Sequence, residues 1–483
     1  MEKVQTKQMR SLALDFIETG GNEPQETSPK LSKTLPEGVS SRMLYGDIVH
    51  IAWPSLVELI LTQLASMVDL IMVGQLGPWA LSAVGLSTQP RFLMMTMFMA
   101  MNVGATAMVA RYKGSGEAEK ANTVLRQAML LTFVLSAISS VVGFFASETL
   151  IQFMGAADAE TLAGGTVYLQ IQFIGFITMA LTSTVTATLR GVGDSRTAMI
   201  YNLIANVVNV IFNYLLIYGH FGFPRMEVAG ASLATVIGQI VAFVLAMWAI
   251  LSGKRYLHMR FTDSYKPDKE TLRSIFVIGM PAMLEQLVMR AGMIIYSKTV
   301  AGLGTVAFAA HQVCMNIQAL SFMNGNAFAV SATSLMGQSL GKKRPDMGQA
   351  YSNRTQMLGM MVSFALAFVF FFFGGPITAM YSDDPQVIAW GAQILKLVAL
   401  VQPFQSSQLI LAGALRGAGD TKATAVITFI TVLLVRPGLA ILLINCTSMG
   451  LMGAWVALVA DQFLRSLLIF QRFHSGKWRN YKI

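Results

Sequence analysis

Two apolar segments of this chain, each long enough to cross a bilayer and each interrupted by a proline and a glutamate, are copies of one another. Residues 51–74 read IAWPSLVELILTQLASMVDLIMVG and residues 275–300 read IFVIGMPAMLEQLVMRAGMIIYSKTV. Pro54 and Glu58 recur 227 positions later as Pro281 and Glu285, and the offset holds to Thr106/Thr333 and Gly114/Gly341. Leu189-Arg190-Gly191-Val192-Gly193-Asp194 recurs 226 positions later as Leu415-Arg416-Gly417-Ala418-Gly419-Asp420, and Ala229-Gly230-Ala231 recurs 223 positions later as Met452-Gly453-Ala454. One unit is written twice. About 20 apolar residues suffice for a membrane-crossing helix. A charge near its centre costs about 2.5–3.5 kcal/mol even on the lenient insertion scale. Glu58, Glu285 and Arg290 are therefore expected to face a partner or a water-filled cavity.

Composition agrees with a membrane chain. Of 483 residues, 54% are hydrophobic and 12% charged, against about 25% charged in a soluble domain. The mean hydropathy is +0.56. Two cysteines, Cys314 and Cys446, exclude a disulfide framework, and five histidines without Cys/His spacing give no metal-site signal. The net charge of +10 follows the connections between spans, so it argues for topology and no nucleic-acid partner is expected.

The apolar pattern predicts an all-α polytopic membrane protein with twelve transmembrane helices, at about 48–74, 79–110, 121–146, 162–189, 197–219, 228–251, 273–300, 305–339, 350–374, 386–414, 420–445 and 450–471. Lysine and arginine crowd one set of connections (Arg111, Lys113, Lys120; Arg190, Arg196; 254–273; Lys342 to Arg344; Arg416, Lys422; 472–482), while the alternate set carries Glu148, Asp158, Asp383 and Asp384. By the positive-inside rule the basic set, and with it both termini, is cytoplasmic in a plasma-type membrane. The expected organisation is a disordered tail over 1–44, with no signal peptide, and a six-helix lobe over 45–252. A cytoplasmic linker over 253–272, a second six-helix lobe over 273–471 and a basic tail over 472–483 follow. Six spans per repeat give both lobes the same orientation, so their pseudo-two-fold axis runs along the membrane normal, with a cavity between two bundles.

Several polar residues lie within spans. Asp69 stands about three turns beyond Glu58, on the same side of the first span. It reads either as a hydrated helix-end residue or as an internal carboxylate taking a proton or Na⁺. Glu285 reads as a functional carboxylate or as half of a structural ion pair, with Arg290 badly spaced to be its partner on the same helix. Asp461 and Arg465, at i and i+4, are expected to pair. Asn202, Asn206, Asn209 and Asn213 lay four amides along one face of the fifth span, as cavity lining or as interhelical glue. The 32 methionines and 29 phenylalanines are mostly packing residues, a minority of which would make an adaptable apolar wall. No Walker-type loop and no nucleophile–base pair occurs, so an enzyme is not expected and any transport is expected to run on an ion gradient.

The segments VDLIMVGQLG, LRGVGDSRTA, LRGAGDTKAT, NVVNVIFNYLLIYG and AGASLATVIGQ resemble those of the multidrug and toxic compound extrusion (MATE) family, over about 45–471. The resemblance implies a two-lobed, twelve-helix exporter of cationic or amphipathic organic compounds, exchanging them for Na⁺ or H⁺ and needing no other cofactor. By motif, Asp69, Asn209 and Thr235 would serve ion coupling. Asn213 falls where many members carry a second acid. Glu285 matches a seventh-helix glutamate and would bind substrate or a proton, with Glu58, Asn202, Asn206 and Arg290 as further candidates. Gln386 to Leu415 holds no acid where one subgroup has an aspartate. The expected partners are a small organic substrate and the bilayer, with the protein a monomer. Two rivals are a lipid-linked saccharide flippase, supported by Arg91, Arg290, Lys396 and Arg436, and a channel or non-transporting scaffold.

Overall fold

The structure, a computed structural model, describes residues 39–156, 158–260 and 262–481. Among them every regular element is helical. The first half contains α1 (Ser41–Gly74), α2 (Pro78–Ser115), α3 (Ala118–Phe153), α4 (Ala159–Ile174), α5 (Phe176–Gly191), α6 (Ser195–Tyr218) and α7 (Glu227–Leu251). The second half contains α8 (Lys269–Ala301), α9 (Thr305–Gly341), α10 (Pro345–Ala379), α11 (Pro385–Ala418), α12 (Thr421–Thr428), α13 (Arg436–Cys446) and α14 (Gly450–His474). A π-helical stretch, Phe429–Val435, joins α12 to α13.

The repeat is reproduced turn by turn. Gly77 and Gly304, repeat mates, hold φ of +122° and +107° before α2 and α9, and Gly193 and Gly419 hold +88° and +90° in the LRGxGD turns. These are conformations that a side chain rarely adopts. Asp194 then caps α6 through the Thr197 N–H.

Among the described residues ten helices, counting Thr421–Cys446 as one, are long and apolar enough to cross a membrane, and α4 with α5 makes an eleventh, bent by 52°. The sequence pattern reads 162–189 as one helix. The break falls at Gly175, where a Cβ would lie 2.6 Å from Val236. Hydroxyls support the break: Thr178 donates to Gly175 O at 2.8 Å, beside the Met179 N–H, and Ser140 donates to Phe173 O. The twelfth span, α9, is long enough but less apolar than the others. It packs against α1, α2, α10 and α11 rather than lying at the periphery. Several of its buried polar groups find protein partners, such as Ser363 Oγ for Asn324 Nδ2 at 3.0 Å and Gly413 O for Thr333 at 2.8 Å, as suits a helix packed inside the protein. Large apolar side chains such as Phe145, Val244, Trp248, Phe364 and Phe372 are exposed, as a lipid-facing perimeter requires.

The two halves meet through α2 and α9, with α8 against α2 and α1 against α9. At the basic end of this seam the backbones touch. A Cβ on Gly114 would lie 1.9 Å from Gln338 O, and one on Gly341 would lie 1.9 Å from Arg111 O. Since 111/338 and 114/341 are both repeat pairs, the pseudo-two-fold axis passes between these two contacts. Further along, a Cβ on Gly104 would lie 2.5 Å from Ile275 O, while its mate Ser331 donates to Ile48 O at 3.0 Å. Tyr351 of α10 donates to Asp47 of α1 at 2.6 Å.

The linker and tail also lie against this end. Gln127 of α3 donates to Lys266 O at 2.8 Å and accepts from the Asp268 N–H at 3.0 Å, while Arg126 pairs with Asp263 at 3.0 Å. After α14 the chain turns back, buries Trp478 against Phe473, and brings Tyr481 O to Arg111 of α2 at 2.9 Å. Of the expected N-terminal tail, residues 1–38 lie outside the described residues. Helix α1 begins at Ser41, before the expected boundary at 44, capped by Ser40, whose hydroxyl accepts from the Met43 N–H at 3.2 Å.

Candidate functional site

The polar residues within the spans gather at two levels in each half. Nearer the basic end, Glu58 of α1 pairs with Arg190 of α5 at 2.7 Å, and Asn202 of α6 donates to the same oxygen at 2.7 Å. The second half repeats this. Glu285 of α8 pairs with Arg416 of α11 at 2.6 Å, and the Thr424 hydroxyl donates to its other oxygen at 3.0 Å. Both glutamates are buried. The arginines come from the LRGxGD segments, where Gly191 and Gly417 pack on Thr106 O and Thr333 O, so the motif fixes where each guanidinium starts. Glu285 thus has its cation on another helix. Arg290 lies elsewhere, 3.6 Å from the centre of the Phe92 ring.

Helices α1 and α6 run parallel, and their side chains meet at a constant separation of 144 positions. Asn202 meets Glu58, Asn206 donates to Thr62 at 2.9 Å, and Asn213 donates to Asp69. The amide face expected of the fifth span is therefore turned onto α1 as an interhelical ladder at Asn202 and Asn206. At its upper end the ladder becomes a cluster. With its amide oriented to match its neighbours, Asn209 donates to the Asp69 oxygens at 2.9 and 3.2 Å. It then accepts from the N–H and hydroxyl of Thr235, both at 3.2 Å. Asp69, Asn209, Asn213 and Thr235, distant in sequence, are thereby brought together from α1, α6 and α7. Asp69 is surrounded by neutral donors, whereas Glu58 has a guanidinium.

The corresponding level of the second half is different. The repeat mate of Asp69 is Tyr296, which donates to Ala454 O at 2.8 Å. Nearby, Asp461 Oδ2 takes both Arg436, at 2.5 Å, and Arg465, at 2.9 Å. The expected Asp461–Arg465 pair is present, joined by a second guanidinium that follows directly on the π-helical stretch.

Arg190 and Arg416 escaped sequence reasoning because their position near basic connections made them look like topology markers. The available signal was that acid and base are both duplicated, at offsets of 227 and 226. Among the described residues no group of three or more metal-ligating side chains occurs. Clefts of about 310 Å³ lie at the basic end beside His50, Lys113, Asp194 and Arg255, and beside Asp47, Gln338 and Lys342, away from the Asp69 cluster.

A solved structure described as the outward-facing conformation of a multidrug resistance MATE family transporter of the MOP superfamily superposes with a TM-score of 0.83 at 21% identity, over 92% of this chain and 98% of that one. The chain is 28% identical over 438 residues to the probable multidrug resistance protein NorM of Thermotoga maritima, covering 89% of this chain and 92% of the relative. It is also 28% identical over 400 residues to the multidrug resistance protein PmpM of Pseudomonas aeruginosa, covering 82% and 83% respectively. The sequence pattern of the MatE family matches twice, at residues 54–215 and 281–442. Both bounds of the second match lie 227 positions after those of the first, the same offset that separates Glu58 from Glu285. This chain is a member of the MatE family of membrane transporters.

Proposed function

We propose that this protein is a secondary antiporter that exports small organic compounds, cationic or amphipathic, in exchange for Na⁺ or H⁺ by alternating access of its two lobes. The observation that carries the proposal is the Asp69 cluster. A carboxylate within a span, held by Asn209 and Asn213 and backed by Thr235, is an incomplete charge balance. It is completed by a small cation or by a proton, since binding either removes much of the cost of the buried charge. Emptying and filling such a site biases the lobes between two arrangements by its differential affinity for each.

With the basic end cytoplasmic, the tight seam at Gly114 and Gly341 closes the cell-interior side. Glu285 would take the substrate cation or the coupling proton once Arg416 releases it, and Glu58 is its counterpart in the first lobe. The relatives named for multidrug resistance support the substrate class.

Purified protein in liposomes loaded with ethidium, under a Na⁺ gradient and a proton gradient imposed separately, tests this. Dye movement driven by one gradient and lost in Asp69→Asn is the expected result and names the ion. Movement with neither gradient by folded protein would overturn the proposal.

A further inference from the structure

Each half carries, on its first helix, a charge that its repeat mate lacks, and the two charges are of opposite sign. Asp69 has Tyr296 as its mate, and Arg290 has Gln63 as its mate, both at an offset of 227. The first half thus places a carboxylate where the second has a phenol, and the second places a guanidinium where the first has an amide. We propose that Arg290 recognises an anionic group, a carboxylate, on the transported molecule, so that the preferred substrate is a zwitterion or an amphiphilic acid rather than a simple cation. This rests on the export reading above and narrows it.

Arg290 sits on α8 against α2, between the lobes. Toward the basic end of the same helix pair the backbones close, Gly279 against Ala100 O and Gly104 against Ile275 O. Arg290 lies beyond these contacts, at the mouth of the closed seam. Its guanidinium is laid over the Phe92 ring at 3.6 Å. Stacking of this kind uses the face of the ion and leaves its in-plane N–H donors free. Among the described residues none of those donors has a carboxylate or carbonyl partner, and the side chain is only half-buried. Held over the ring and half-exposed, without a protein acceptor among the described residues, the guanidinium is able to bind a carboxylate through two parallel hydrogen bonds.

The surroundings favour an anion as well. Met289, the preceding residue, accepts from Arg465 Nη1 at 3.4 Å, so a second guanidinium packs against the same helix. Arg465 shares Asp461 with Arg436, and Glu285 is neutralised by Arg416. This part of the second lobe therefore holds more cationic than anionic side chains.

The plainer alternative is that Arg290 only latches the lobes together through Phe92. The two roles separate in a liposome flux assay with rhodamine B, a cationic dye bearing a free carboxylate, and its ethyl ester, the same dye with that carboxylate masked. In Arg290→Gln the half-saturation concentration for rhodamine B should rise at least about tenfold, with flux of the ester unchanged, and Arg290→Lys should recover part of the loss. Equal losses for both dyes would assign Arg290 to the latch and overturn the inference, as would no effect on either. Wild-type protein that moves the ester and not rhodamine B would overturn it while leaving the export reading standing. Wild-type protein that moves neither dye would overturn both.

Discussion

Arg416 reaches across 131 positions of sequence to donate to Glu285 Oε1 at 2.6 Å, and the same bond recurs between Arg190 and Glu58 at 2.7 Å. A buried pair of this kind is weak evidence for net stability, but removing one partner strands the other. Arg416→Ala should therefore lower the unfolding free energy by about 3–5 kcal/mol, and the double variant Glu285→Gln, Arg416→Ala should recover most of it. Thermal unfolding in detergent, compared across the two single variants and the double, gives the coupling. Additive effects would mean that the pair is not the unit it is described to be.

The seam makes a prediction in duplicate. Neither Gly114 nor Gly341 has room for a Cβ, which at each would lie 1.9 Å from a carbonyl oxygen. Real Cβ atoms do not approach so closely, so Gly114→Ala and Gly341→Ala must each push the lobes apart at the basic end. Because the two residues are repeat mates across one axis, the effects should be similar in size. The check is thiol labelling of a cysteine placed at Ser331 in a Cys446→Ser background: both variants should label faster than the parent.

The ladder between α1 and α6 separates packing from function. Asn206→Leu removes a bond to the exposed Thr62 alone and should cost under about 1 kcal/mol, with gradient-driven flux retained. Asn213→Leu removes a donor from the part-buried Asp69, leaving Asn209 to hold the carboxylate alone, at a cost of about 1–3 kcal/mol, and should abolish coupling. A flux assay showing equal damage from the two would contradict the assignment of the Asp69 cluster.

If the lobes part at the basic end during each cycle, Asp47 and Tyr351, joined at 2.6 Å, must separate. Cysteines at both positions, joined by a short bifunctional thiol reagent, should stop flux, and a reducible version of the reagent should restore it on reduction. Continued flux through the cross-linked protein would exclude opening at this end.

Much of this was legible in the residues themselves. The offsets of 227 and 226 revealed the duplication, and charge placement marked one end. The spacing of the asparagines announced a single polar face, though it could not say that Asn202 and Asn206 bond to Glu58 and Thr62 of α1. A periodicity gives a face, but what lies opposite is a matter of packing. The bend at Gly175 was hidden because an apolar run reads the same straight or broken. Arg190 and Arg416 were hidden because a side chain near a helix end can point either to water or back into the span. Arg436 was not tied to Asp461 for a related reason: the π-helical stretch before it rotates the helix face, which no 3.6-residue pattern anticipates.

The contacts at Gly114 and Gly341 have a consequence for descent. Gly114 touches Gln338 while Gly341 touches Arg111, so each half offers the other the same patch. That is the isologous geometry of a symmetric homodimer. A six-span ancestor carrying one such glycine could close on a second copy of itself without further invention. In a fused pair the junction holds both copies together while the rest is released from identity, and here one half carries an aspartate at 69 and the other an arginine at 290.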